Sequence, residues 1–375
     1  MMRVAIVIDS LKVGGAQRLI SAYALNAAGH DLIPIVITLR EDNAPFIVDS
    51  IQSSAIKLIP LSQASLFDVH RFRSLVRILK RERVELVQTH LTYANILGTL
   101  AAHSAGIPVI ATLHSIAVRN GLKSKVIKWL ENFVLRKYAT RILAVGQVVA
   151  DLNQRRYGKR KVDVIPNGIP KPDFPQLGER ERLRREIIGG GSNPIVITVG
   201  RFSHAKGYED MIEAFRLLQQ RKAHPKLIMV GTGATVAAIK NQIEDLELDQ
   251  SVILTGERDD VPSLLALSDV YASSSHREGL PLAVLEAMMA GLPVVATSVG
   301  DIPNVVTEET GVVVPPHRPE LLADALEDLL MNPRKREAMG QAAYRRVMNE
   351  YSVDAWMKKH LALYREVLTP NGRAA

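Results

Sequence analysis

The chain has 375 residues, 47% of them hydrophobic, with no cysteine and a formal net charge of +8. That length exceeds one ordinary core and fits two domains; the missing cysteines exclude disulfides and thiolate metal sites and suit a reducing, cytoplasmic compartment. Residues 1–172 hold 24 Lys and Arg against 11 Asp and Glu, whereas residues 173–375 hold 23 against 28, so an anionic surface is expected to meet the first half.

The opening Met-Met-Arg and the apolar run that ends at Asp9 are too short for a signal peptide. Short β-branched runs then alternate with helical stretches. Val4–Ile8, Leu32–Thr38, Glu85–Gln88, Val109–Leu113, Arg141–Ala144 and Asp163–Ile165 read as strands. Their near-continuous apolar character predicts burial on both faces, as in a parallel sheet wound with helices. Leu91 to Val118 lacks Lys, Arg, Asp and Glu and is long enough to span a bilayer. Gly106-Ile107-Pro108 interrupts it, however, so a helix, a turn and a buried strand are expected.

Ligands of such sheets gather at the carboxyl ends of the strands. Gly14 and Gly15 follow the first strand, in Gly14-Gly15-Ala16-Gln17-Arg18, either as a tight turn or where backbone approaches a phosphate or an acceptor. The spacing is not Gly-x-Gly-x-x-Gly, which disfavours a dinucleotide site. His90 and His114 each follow a strand, as structural caps or as site residues. Arg71–Arg83 mixes cations with Phe72, Leu75, Val76 and Leu79, and Lys123–Lys137 does so with Trp129, Leu130 and Phe133. Each pattern suits either an ordinary surface helix or one lying on an anionic membrane. No motif supports nucleic-acid binding.

Four prolines between Pro166 and Pro175 mark a linker, after which the pattern restarts. Strands are expected at Ile195–Val199, Lys226–Val230, Val252–Leu254, Val270–Ala272 and Val294–Ala296. Arg201 and Lys206, five apart on a glycine-bounded turn, are either solvated surface charge or a grip for a diphosphate. Gly231, Gly233 and Arg258 lie in the loops after the next two strands. The stretch from Arg277 to Gly291 places Glu278 before a short helix and Glu286 on it, with Pro281 at its start and Gly291 past its end. The amides of Gly279, Leu280 and Leu282 then sit at the positive helix end, a ready phosphate site. An anion cradle between two carboxylates suits a ligand rich in phosphate and hydroxyls, such as a nucleotide sugar. No Asp-x-Asp occurs, so no metal and no cofactor is expected; Asp259-Asp260 reads as a helix cap before Pro262.

Glu278-x7-Glu286, Gly200-Arg201-Phe202-Ser203-His204-Ala205-Lys206-Gly207, Val164-Ile165-Pro166-Asn167-Gly168-Ile169 and Gly14-Gly15-Ala16-Gln17-Arg18 occur in order along the chain. Together they resemble the motifs of the retaining glycosyltransferases of family 4. The chain departs from that pattern at Gln17, at Ser115 after His114, and in Gly300-Asp301-Ile302-Pro303-Asn304. The resemblance implies the GT-B fold, an α/β architecture of two doubly wound Rossmann-like parallel-sheet domains facing a cleft. Residues 1–172 would form the acceptor-side domain and 173–350 the nucleotide-sugar domain, with 351–375 forming a helix that crosses back, plus a loose tail. It also implies sugar transfer from a nucleotide-diphosphate donor to a lipid-linked or glycan acceptor, in cell-surface polysaccharide or glycolipid synthesis. Arg201 and Lys206 would serve the departing diphosphate, Glu278 and His114 the donor sugar, and Glu286 the ribose. The enzyme would be cytoplasmic or peripheral on the inner membrane face. A nucleotide-sugar epimerase of the same fold and a catalytically silent sugar-binding protein remain as alternatives.

Overall fold

A computed structural model describes residues 1–12, 15–52, 56–61, 68–114, 121–158, 161–189, 191–221 and 224–369. Contacts divide the chain into two compact units, one of residues Met1–Pro170 together with Ser352 onward, the other of Lys171–Tyr351. The first contains β1 (Met2–Ile8), α1 (Gly15–Asn26), β2 (Leu32–Thr38), α2 (Pro45–Gln52), β3 (Lys57–Pro60), α3 (Val69–Arg81) and β4 (Leu86–His90). It continues with α4 (Thr92–Ala105), β5 (Val109–Leu113), α5 (Leu122–Tyr138), β6 (Arg141–Ala144), α6 (Gln147–Tyr157) and β7 (Val162–Val164).

Then come α7 (Leu177–Ile188), β8 (Ile195–Val199), α8 (Tyr208–Gln219), β9 (Lys226–Val230), α9 (Val236–Asp245), β10 (Val252–Gly256) and α10 (Val261–Ala266). The second unit ends with β11 (Val270–Ser273), α11 (Leu282–Met289), β12 (Val294–Thr297), α12 (Ile302–Val305), β13 (Gly311–Val314), α13 (Pro319–Met331) and α14 (Pro333–Glu350). Finally α15 (Val353–Leu368) belongs to the first unit.

Both sheets are parallel and share one winding. The first runs β3-β2-β1-β4-β5-β6-β7 and the second β10-β9-β8-β11-β12-β13. In each the order reverses beside the unit's first strand, between β1 and β4 and between β8 and β11. Such a reversal leaves a crevice at the carboxyl ends of the two strands.

Strand alternation explains why the runs are apolar throughout. Ala5 and Val7 of β1 join the cluster with Leu75, Leu79 and Leu97 of α3 and α4. Val4, Ile6 and Ile8 point the other way, into the cluster holding Tyr23 of α1 and Trp356, Met357 and Tyr364 of α15. The helix α15 is capped by Ser352, whose side chain accepts from the Ala355 amide. Gly168 lets it approach: a Cβ there would lie 2.4 Å from the Cβ of Trp356.

Two strands, β3 and β13, are absent from the sequence reading, and both are edge strands. An edge strand pairs on one side only and needs no long apolar run. Lys57 and Pro60 of β3 are indeed exposed. No helix among the described residues is long and apolar enough to cross a membrane, and Leu91 to Leu113 resolves into α4, a left-handed turn at Gly106, and β5.

Candidate functional site

At the reversal in the second sheet, β8 leads into Gly200–Gly207 and β11 into Ser274–Pro281. These two loops are laced together. The carbonyl of Ala205 accepts from the amides of His276 (2.9 Å) and Arg277 (3.2 Å), and the Ser274 hydroxyl donates to the Lys206 carbonyl at 3.1 Å. Across this seam Lys206 Nζ lies 2.6 Å from Glu278 Oε1. Ser275 Oγ donates to the same oxygen at 2.8 Å. Both bonds fall on Oε1, so Oε2 is the oxygen a hydroxyl can address.

Gly207 is a spatial requirement, since a Cβ there would lie 2.3 Å from the Ser274 carbonyl, whereas one on Gly200 would press only on side-chain ends, at 3.3 Å from Lys206 Nζ. Gly231 and Gly233 stack under the same loop: a Cβ on either would lie 2.1 Å from the carbonyl of Gly200 or Phe202. They support the turn that carries Lys206, a role compatible with a nearby ligand. Arg201 is exposed at the loop's rim.

The helix α11 starts after Pro281, which takes the cap position rather than the first turn. Gly291 adopts φ +78° just past the helix and donates to the Met288 carbonyl, as a left-handed terminator should. The amides of Gly279, Leu280 and Leu282 have no acceptor among the described residues. The loop beneath is braced by the Asp301 amide, which donates to the Gly279 carbonyl at 2.9 Å. Glu278 and Glu286 both reach the buried Tyr271 electrostatically, and burial with these negative neighbours pushes its hydroxyl far above the usual range. Both carboxylates therefore lie within electrostatic range of Tyr271. Arg258 is already engaged: its guanidinium forms a bidentate pair with Asp260 at 2.8 and 2.7 Å. The carboxylate of Asp260 therefore holds Arg258 instead of capping α10, although Asp260 occupies the cap position.

In the first unit Gly14 lies outside the described residues and Gly15 opens α1. His90 and His114, at the ends of β4 and β5, face one another with His90 Nδ1 2.8 Å from His114 Nε2. They line a small cavity with Tyr23, Gln88, Thr112 and Trp356. Burial pushes His114 down to about 4 and His90 well below its ordinary value, with each other's charge as a further penalty at His90. Both are therefore neutral at pH 7. Ser275 and the His90–His114 contact escaped the sequence reading; the run Ser273-Ser274-Ser275 ahead of Glu278 was the available signal.

The two cationic helices separate. In α3 the apolar side is core: Leu75 and Leu79 are buried, with Phe72 and Val76 packed on the same cluster. In α5 Leu122, Val126, Trp129 and Phe133 are all exposed, the last two stacked with ring centroids 5.9 Å apart. Their spacing of four, three and four residues forms one helical stripe. Lys123 and Lys125 beside it are exposed. Lys128 is committed elsewhere, 2.6 Å from the buried carboxylate of Glu131.

Comparison with known proteins identifies the family and the fold. Residues 13–171 match the family Glycosyltransferase Family 4, and residues 179–346 match Glycosyl transferases group 1. UDP-Gal:alpha-D-GlcNAc-diphosphoundecaprenol alpha-1,3-galactosyltransferase of Escherichia coli is 30% identical over 264 residues, 68% of each chain. 2-Deoxystreptamine glucosyltransferase of Streptomyces kanamyceticus is 25% identical over 351 residues, 88% of this chain and 89% of that one. The crystal structure of Anabaena HepE in complex with UDP superposes with a TM-score of 0.86 at 21% identity, covering 97% of this chain and 100% of that one. The chain therefore belongs to glycosyltransferase family 4 and is a sugar-transferring enzyme of the GT-B fold.

Proposed function

We propose that the enzyme moves a sugar, with retention of anomeric configuration, from a nucleoside diphosphate sugar to a lipid-linked or glycan acceptor. The observation that carries this reading is the Lys206–Glu278 pair, braced by Ser275 at the reversal of the second sheet. As the glycosidic bond breaks, negative charge grows on the leaving diphosphate. Preorganised cations and amides stabilise that charge without reorganising at the moment of reaction. Lys206, held in place by Glu278, supplies the cation, with Arg201 beside it and the α11 amides of Gly279, Leu280 and Leu282 as further donors. Glu278 Oε2 accepts from sugar hydroxyls and Glu286 from the ribose. Because these groups carry the positive charge, no metal is needed at the diphosphate. His114, being neutral, contributes hydrogen bonding to the sugar and no charge.

The Escherichia coli relative's name specifies a diphosphoundecaprenol-linked acceptor, which favours a lipid-linked acceptor here. The α5 stripe favours an anionic membrane surface as the place of work: its rings insert at the headgroup level while Lys123 and Lys125 meet the phosphates. The test is thermal stabilisation by a panel of nucleotide sugars, followed by transfer assays. A donor at about 100 times its dissociation constant adds roughly 2.7 kcal/mol. If no nucleoside diphosphate sugar stabilises the fold, the reading fails. If product forms from donor without any acceptor, an epimerase replaces the transferase.

A further inference from the structure

Beside the donor loops lies a second cluster that the proposed reaction does not use. Asp210 is in the first turn of α8, His276 follows β11, and His317 sits between β13 and α13. Three chain segments thus converge at the carboxyl edge of one sheet. His276 Nε2 is 2.9 Å from Asp210 Oδ2, and His317 Nδ1 is 3.8 Å from the same oxygen. The two imidazole rings lie face to face, centroids 3.8 Å apart and tilted by 37°. One ligand atom from each residue falls within 4.8 Å of the others.

We propose that Asp210, His276 and His317 bind a divalent transition-metal ion of the zinc class. Two imidazoles and a carboxylate are the ligand types that suit zinc and its neighbours, and not the oxygen-seeking magnesium or calcium. Zinc–ligand bonds of about 2.0–2.1 Å in a tetrahedron put donor atoms about 3.3 Å apart. The two distances to Asp210, 2.9 and 3.8 Å, bracket that value, and all three ligand atoms lie within 4.8 Å of one another, so modest shifts would assemble three ligands and leave a fourth position for water.

A plain hydrogen bond between His276 and Asp210 explains two members of the cluster; His317 joins them through its ring contact with His276 and its 3.8 Å approach to the same carboxylate. The His317 side chain is 66% exposed and its backbone is left-handed, with φ +58°. Burial does not hold the ring there, and a non-glycine residue pays for that conformation. A shared ion gives the ring a reason to be where it is. Gly207 makes the room: a Cβ there would lie 2.5 Å from His276 Nε2. Bound metal would tie the start of α8 to the loop that carries Glu278, two residues past His276.

The experiment is calorimetric titration of chelator-treated, tag-free full-length protein with zinc chloride, with cobalt(II) absorption as a second probe. One equivalent per chain is expected, with a rise in melting temperature and a cobalt spectrum of low coordination number. His317→Ala leaves the His276–Asp210 hydrogen bond in place, so it should fold as wild type by circular dichroism and yet bind at least tenfold more weakly. His276→Ala should do the same. Wild-type affinity and stoichiometry in His317→Ala would assign the ion to other surface histidines and overturn the site. Failure of the wild type to bind zinc at about 100 μM would overturn it as well. Neither readout involves a nucleotide sugar, so this outcome is separate from that of the transfer assays.

Discussion

The two sheets are wound alike, and each gathers polar groups where its strand order reverses, but the chemistry at the two edges is opposite. In the second unit the edge is ionic: Lys206 faces Glu278, with Glu286 near by, and hydroxyls and backbone hold them. In the first the imidazoles of His90 and His114 are neutral, and burial raises Asp9 to about 6, so a single carboxylate, still mostly ionised at pH 7, is the only shifted group among the described residues there that keeps charge. One topology thus supports two electrostatic regimes, decided by desolvation. Groups left partly solvated and paired keep their charge, whereas groups sunk against apolar side chains lose it. On the proposed reading, the first kind of edge would match a diphosphate and the second a hydroxyl-bearing group.

The largest effect should come from removing the cation of the ionic edge. Lys206→Ala should lower kcat by roughly 10²–10³-fold with little change in donor KM, since losing a contact made to developing charge costs about 2.7–4 kcal/mol. A variant altered only in KM would show that Lys206 binds ground state and transition state alike, and the contrast between edges would lose its catalytic meaning.

The imidazole edge predicts acid sensitivity. His90, His114 and His360 all have depressed values in the fold, the last two about 4. Between pH 6.5 and about 4 the unfolded chain protonates them and the folded chain does not, so their stabilisation is present above 6.5 and lost as pH falls. Asp9, raised to about 6, works in the opposite sense, because the folded state keeps its proton where the unfolded chain has lost it. With three imidazoles against one carboxylate, the imidazoles outweigh Asp9, and stability should fall as pH drops from 6.5. Urea unfolding from pH 7 to 4.5 checks this; a flat profile would show the imidazoles to be solvated and the two edges less different than drawn.

Glu286→Ala should weaken donor binding ten- to a hundredfold with kcat nearly kept, since a charge-assisted hydrogen bond is worth about 1.5–3 kcal/mol. Glu286→Gln should be milder, because the amide oxygen still accepts. Donor KM and kcat for both variants would sharpen the division of labour within the ionic edge.

A smaller contrast separates the two cationic helices. Trp129→Ser with Phe133→Ser should cut binding to anionic vesicles by about tenfold or more, since rings lying at the headgroup level gain only part of the roughly 1.5–3 kcal/mol that full burial of each would give. It should leave nucleotide affinity unchanged. Phe72→Ser in α3 should instead lower stability, since that ring packs on the core. Equal binding of the double variant and the wild type to vesicles would return α5 to an ordinary surface helix. The smallest expected effect is none: turnover should persist in excess chelator, because Arg201 and Lys206 already supply positive charge. Loss of turnover there, restored by magnesium or manganese, would move a metal onto the diphosphate.

Much of this was legible in the residues. Central strands such as Val109–Leu113 show themselves because both faces are buried, whereas β3 and β13 need only half that signal. Lys206 and Glu278 stood out through glycine-punctuated spacing, but 72 residues separate them, and only the shared sheet shows that they touch. The Asp210, His276 and His317 cluster was invisible for the same reason. The cationic stretches Arg71–Arg83 and Lys123–Lys137 read alike because periodicity identifies an apolar face without saying what covers it. Lys128 could be counted as a free surface charge until its bond to Glu131 was seen.

The place of α15 bears on how the protein is made. The first unit's core, around Val4, Ile6 and Ile8, is completed by Trp356, Met357 and Tyr364. Tyr364 also donates to the buried Gln88 of β4. On the ribosome these residues emerge only after the whole second unit. The nascent first sheet must therefore wait with one apolar face open while some 180 residues of another domain are synthesised and fold. A chain stopped at Tyr351 would leave that face permanently uncovered, a target for chaperones and for aggregation. A chain that lacks α15 therefore cannot close the domain that was begun first.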